Sequence, residues 1–281
     1  MIRALRTIAL LCVLGASLAA CAQPAAPAPT GAPPKPTAAP AAPSPTAAPT
    51  AAQGTTAPPG DDVTASLPPL SPMPQPGNMP PGTFMREIQD RGRLIAGVKD
   101  DVLLWGYMNP RTNQIEGFEV DLVREIARAI FGTADGRLEL RPVTTAARIP
   151  ALKEGTVDLV AATMTITAPR KEEIYFSEVY YNAGQRLLVR RDSTATGIQD
   201  MDGKRVCATK GSTSERNIRQ VNPRAEVVEA DKWTDCLLLL QQGRIDGIST
   251  DDAILSGLAE QDPNTKIVGP TFSSEPYGLG V

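Results

Sequence analysis

FEVDLVREIARAIF, residues 118–131, carries apolar side chains at Val120, Val123, Ile126, Ala127 and Ile130. At 3.6 residues per turn these fall on one side and the charges on the other, so the stretch predicts an amphipathic helix. The short apolar run LIAGV (94–98) precedes it and the alternating LELRPV (138–143) follows it, and both read as strands. Next, RIPALK (148–153) reads as the first turns of a second helix, where Pro150 is tolerated early, and VDLVAAT (157–163) as a buried strand. The order then recurs. QRLLV (185–189) and RVCA (205–208) read as strands, 213–221 as a short helix and AEVVE (225–229) as a strand. Helical spacing returns over 230–242, followed by a strand at 245–249, a helix beginning over 250–258 and a last strand at 266–268. Two such blocks predict an α/β architecture with largely parallel sheets, in two lobes with a hinge near Tyr180 to Leu187. A single doubly wound domain is the competing arrangement.

The chain has 281 residues of uneven composition. Residues 22–83 are dominated by Pro, Ala, Thr and Gly, with Lys35 as the one basic residue. Such a segment has too few packing groups to offset the entropy of ordering and is expected to be a disordered spacer. A flexible chain of about 60 residues spans about 40 Å r.m.s.. Ahead of it, Arg3 and Arg6 precede an apolar run from Ile8 to Leu18, too short for a durable membrane span and suited to an export signal. Leu18-Ala19-Ala20-Cys21 resembles the lipobox of bacterial lipoproteins, which implies cleavage before Cys21 and lipidation of its thiol. Plain secretion and a retained membrane span are the alternatives. The expected location is therefore the extracytoplasmic face of a cell membrane. A net charge of -3 and the lack of a dense Lys/Arg block argue against nucleic acid as a partner. The chain has no histidine, which removes the usual general base and the commonest metal ligand. No catalytic residue, metal site or cofactor is expected.

Five segments together resemble the periplasmic-type amino-acid-binding proteins of ABC importers. They are GVKDD (97–101), EGFEVDLVREIA (116–127), ATMTITAPRKEEIYFSEVYY (162–181), KGSTSERN (210–217) and GRIDGISTDDAIL (243–255). The resemblance implies a type 2 periplasmic-binding-protein fold: lobe 1 over 84–184, lobe 2 over 185–276, two crossing strands between them, and a ligand held in the cleft as the lobes close. It also implies that residues 277–281 start the return to lobe 1 and that helices follow, so the chain reads as C-terminally truncated.

A zwitterionic amino acid needs a bidentate cation and hydrogen-bond donors for its carboxylate, and a buried anion for its ammonium. The resemblance places the carboxylate on Arg170, with Thr165 and Thr163 beside it, and on Thr213 in the second lobe. Arg170 could equally be a surface arginine, and Thr213 a helix cap. Asp251 takes the family's ammonium position, although adjacent acids also suit a helix N-terminus. In relatives that bind cationic amino acids an aspartate stands where this chain has Lys99. That departure, and the wording GVKDD, imply the glutamate-binding branch and an acidic L-amino acid: glutamate, with aspartate close behind. The family's stacking aromatic falls on Thr145. Trp105 and Tyr107, in the loop expected after the first strand, are candidates for a ligand wall or for ordinary packing. Cys207 and Cys236 are expected to form a structural disulfide, as in the resembled branch, which an exported protein would retain. The expected protein is a monomer that delivers its ligand to an ABC permease. A sensor presenting occupancy to a signalling receptor is the alternative, and a dehydratase-like enzyme on the same fold is a remote one.

Overall fold

The structure, a computed structural model, describes Thr64 and residues 72–281. The export signal, Cys21 and most of the Pro/Ala/Thr-rich segment lie outside the described residues. In chain order the first elements are α1 (Phe84–Arg91), β1 (Leu94–Val98), β2 (Asp101–Val102), β3 (Gly106–Asn109), β4 (Gln114–Glu116), α2 (Phe118–Phe131), β5 (Leu138–Pro142), α3 (Arg148–Lys153), β6 (Leu159–Ala161) and the single turn α4 (Ala168–Lys171). They form lobe 1. Its sheet runs β5-β1-β6, all parallel, and the central β1 is buried along its whole length. That is why LIAGV is a continuous apolar run rather than an alternating one. Helix α2 lays Val120, Val123, Ala127 and Ile130 against this sheet with no exposure. Burial of each larger side chain contributes about 1.5–3 kcal/mol. Gly132, at φ 82°, ends the helix in the left-handed conformation that glycine adopts freely.

The chain crosses on β7 (Tyr181–Ala183) into lobe 2, which comprises β8 (Gln185–Arg190), β9 (Arg205–Thr209), α5 (Thr213–Val221), β10 (Glu226–Ala230), α6 (Trp233–Gln241), β11 (Gly247–Asp251), α7 (Asp252–Gln261) and β12 (Thr265–Val268). It then crosses back on β13 (Glu275–Tyr277), which pairs antiparallel with β7. Beyond β13, Gly280 exchanges backbone hydrogen bonds with Val160 on β6 and so returns the chain to the lobe 1 sheet.

Three sequence expectations are corrected. The lobe 2 sheet, ordered β10-β9-β11-β8-β12, is mixed: β8 runs antiparallel to β11 and β12. Parallel neighbours need a crossover, usually a helix. The parallel strands β9, β10 and β11 follow one another through helices α5 and α6, whereas the link from β8 to β9 holds only the 3-10 turn Ile198–Met201. Residues 101–116 are not a loop but the meander β2-β3-β4, so Tyr107 lies on a strand. The expected spacer also stops short of residue 83. Gly77 N–H donates to the Ile130 carbonyl at 2.8 Å, Met79 N–H to Gln89 Oε1 at 2.7 Å, and the Met79 side chain is buried. A methionine supplies the packing that offsets ordering, which the upstream Pro/Ala/Thr repeats lack.

Cys207 on β9 and Cys236 on α6 are joined in a disulfide inside the lobe 2 core. The tip following β2 also reaches that core: Val102 and Trp105 pack into it, and Leu103 O lies so close to Gly257 of α7 that a Cβ there would approach it to 2.6 Å.

Candidate functional site

Between the lobes lies a cavity of only about 10 Å³, room for about one water, so the lobes must part to admit an amino acid. Lobe 1 lines it with Arg148, Thr163 and Thr165, and lobe 2 with Thr213, Trp233 and Asp251. A larger depression next to it shares Thr145 and Arg148 and adds Arg170 and Gly211. Four of the residues singled out in the sequence, Thr163, Thr165, Thr213 and Asp251, therefore meet at one place, and Arg170 stands at its edge.

Thr163 sits at the end of the lobe 1 sheet with φ 45°, a left-handed conformation unusual for a threonine. Its N–H donates to Glu119 Oε1 at 2.6 Å and its carbonyl accepts from Arg148 Nη1 at 3.1 Å, which together hold the strained peptide. Arg170 belongs to α4, capped by Thr167. Its Nη1 donates to the Thr165 carbonyl at 2.7 Å and its Nη2 to the Gly211 carbonyl of lobe 2 at 3.4 Å, so the guanidinium bridges the cleft mouth. Burial lowers its pKa from the ordinary guanidinium value.

In lobe 2, Ser212 is the cap of α5, its hydroxyl accepting from Glu215 N–H at 3.1 Å. Thr213 is thus released from capping, and its hydroxyl turns to the cleft. Asp251 occupies the cap position of α7, yet its side chain makes no cap hydrogen bond; Asp252 accepts from Ala253 N–H instead. Asp251 Oδ2 accepts from Tyr277 Oη at 2.6 Å, while Oδ1 is buried without a partner among the described residues. Burial first, and then the charge of Glu275, push this carboxyl up to about 8. A partnerless buried oxygen is costly unless something donates to it.

Nothing in the residue pattern pointed to Arg148, Glu119 or Glu275. Arg148 opens α3 and is buried; its Nε donates to the Thr145 carbonyl at 2.9 Å and its Nη1 to the Ala162 and Thr163 carbonyls. Among the described residues, none of its hydrogen bonds uses Nη2. Burial lowers its pKa to about 9, which leaves it cationic at neutral pH. Glu119, fully buried, also accepts from Tyr180 Oη, and burial raises its pKa. Glu275 accepts from Thr165, Thr213, Asn217 and Ser273. A charged residue on an amphipathic pattern reads as solvent-facing, so only the possibility of an inward Arg or Glu could have been noted.

Three candidates fall away from the cavity. Lys99 is buried in ion-pair contact with Asp101 at 2.9 Å, without the alignment of a hydrogen bond, and does not line the cavity. Its charge is balanced within the protein. Trp105 packs edge-on against Phe118, Tyr181 and Tyr277. Tyr107 lies along a separate surface depression with Leu104 and Phe118.

The chain matches the family described as bacterial extracellular solute-binding proteins, family 3, over residues 94–224. It is 44% identical over 197 residues to the glutamine-binding protein of Geobacillus stearothermophilus, covering 70% of this chain and 75% of that one. It is 32% identical over 203 residues to the glutamate-binding protein GluB of Corynebacterium efficiens, covering 68% and 69%. Among solved structures, holo ArgBP from T. maritima superposes with a TM-score of 0.65 at 34% identity, over 70% of this chain and 85% of that one. These relatives are binding proteins and not enzymes. The two-lobed fold, the cleft between its lobes and these similarities together establish that the chain belongs to the bacterial extracellular solute-binding proteins of family 3.

Proposed function

We propose that the protein captures an L-amino acid whose side chain ends in a carbonyl oxygen, glutamine or glutamate, and hands it to the permease of an ABC importer. The observation that carries this is the pairing, across one small cavity, of the partnerless Asp251 Oδ1 with the buried guanidinium of Arg148. Asp251 suits the ammonium, Arg170 at the cleft mouth suits the α-carboxylate, and the free Nη2 of Arg148 suits an amide or carboxylate oxygen. An acidic ligand was expected because of Lys99. With Lys99 held by Asp101, the cation on offer is Arg148, and a guanidinium donates equally well to a carboxamide oxygen. Glutamine therefore stands beside glutamate, and the names of the relatives include both. Attachment to the extracytoplasmic face of a membrane through lipidated Cys21 is part of the same proposal.

Calorimetric titration of residues 72–281 with glutamine, glutamate, aspartate, arginine and leucine tests it. Glutamine or glutamate is expected to bind tightest, and leucine and arginine weakly or not at all. Arg170→Ala and Asp251→Ala are each expected to weaken binding about thirtyfold or more, the cost of leaving a buried charge unpaired. Silence toward all five ligands would sink the proposal.

A further inference from the structure

Glu275 begins the return strand β13 and is buried. One of its oxygens, Oε2, accepts from Thr165 Oγ1 at 2.7 Å and from Thr213 Oγ1 at 2.8 Å, one hydroxyl from each lobe. The other, Oε1, accepts from Asn217 Nδ2 at 2.8 Å and Ser273 Oγ at 2.7 Å. A hydroxyl has one proton to give and two lone pairs. A threonine that donates to Glu275 can only accept from anything in the cavity. Neither Thr165 nor Thr213 is then available to donate a hydroxyl proton to a ligand carboxylate, although both line the cavity.

We infer that Glu275 is a positioning residue that turns the Thr165 and Thr213 hydroxyls into acceptors, so that they and Asp251 Oδ1 form a site for an alkylammonium group. The inference rests on the amino-acid reading above and names the part of the ligand these hydroxyls serve. An ammonium has three protons, and Thr165, Thr213 and Asp251 line one cavity. The second residue of β13 on the same face completes the arrangement. Tyr277, two positions along, ties down Asp251 Oδ2 and leaves Oδ1 open. One short strand thus orients all three acceptors from behind.

Glu275→Gln offers an amide that donates from one side, which lets a threonine proton swing toward the ligand. The readout is the ratio of affinities for L-glutamine and glutaramate, and for L-glutamate and glutarate, each pair differing by the ammonium alone. In Glu275→Gln this ratio is expected to shrink about tenfold, the worth of a hydrogen bond to a charged group. Equal weakening of both members of a pair would mean a merely structural role and would overturn the inference. Should Glu275→Gln fail to fold, Thr165→Val keeps the side-chain shape and removes the hydroxyl. It is expected to weaken glutamine and spare glutaramate, and equal losses would again overturn the assignment. A wild type that binds neither glutamine nor glutamate would remove the functional reading itself, whereas a wild type that binds, with unchanged ratios in both variants, would remove only the role of Glu275.

Discussion

Asp251 is a carboxyl held in a low-dielectric cleft with one oxygen occupied and one open, and pH should govern it. Its pKa, pushed up to about 8 by burial and by Glu275, means that the unliganded protein carries a proton there at neutral pH. An ammonium ligand requires the carboxylate, so binding must release that proton. Affinity is expected to fall as the pH drops from about 8 toward 6, by up to about tenfold per unit. Titration at pH 7 in two buffers of different ionisation enthalpy would reveal the released proton, and identical heats would refute it. The sign for stability is the reverse. A raised pKa stabilises the fold fully below about 3.9, the ordinary value of the free carboxyl, and that contribution is lost as the pH rises through about 8. At this scale the sequence was informative about place, since recognisable segments bring Thr213 and Asp251 to one cavity and Arg170 to its edge. It was silent on Arg148 and Glu275, because whether a charge faces inward depends on partners that only the fold brings together. Thr165 and Glu275 are such a pair.

Among the helices, α2 and α5 stand where the spacing put them, whereas the eight-residue α1 was not read. The meander β2-β3-β4 was not, since strands of two to four residues offer too few positions for alternation to register. Trp105, read as either a ligand wall or a packing residue, packs among three aromatic neighbours. Between elements, the Cys207–Cys236 disulfide ties strand β9 to helix α6 across a separation of 29 residues. Constraining a loop of that length in the unfolded chain is worth about 3 kcal/mol. Replacing both cysteines with alanine is expected to lower the denaturant midpoint accordingly while leaving the ligand preference intact. A pair of variants equal in stability would show that the bond restrains nothing.

Besides the crossing strands and the contacts across the cleft, the two lobes meet at the start of α6. Asp101 Oδ2 of lobe 1 accepts from Trp233 N–H at the start of α6 at 2.7 Å, and Asp100 pairs with Lys232 at 2.7 Å. Asp101 serves both Lys99 and the N-terminus of a lobe 2 helix, a position where negative charge is favoured. Asp101→Asn would leave Lys99 buried and unpaired, at a cost of about 3–5 kcal/mol. The closed arrangement should then lose population, seen as a larger radius of gyration in X-ray scattering and as weaker ligand affinity. Unchanged scattering and affinity would show that the clasp does not govern closure.

The fastening of Gly77 and Met79 to α1 and α2 has a mechanical meaning. The chain from residue 72 onward is fastened to lobe 1 before any strand is laid down. Lobe 1 is then the natural stator of a two-lobed device. Lobe 2, joined to it by β7 and β13, is the natural rotor.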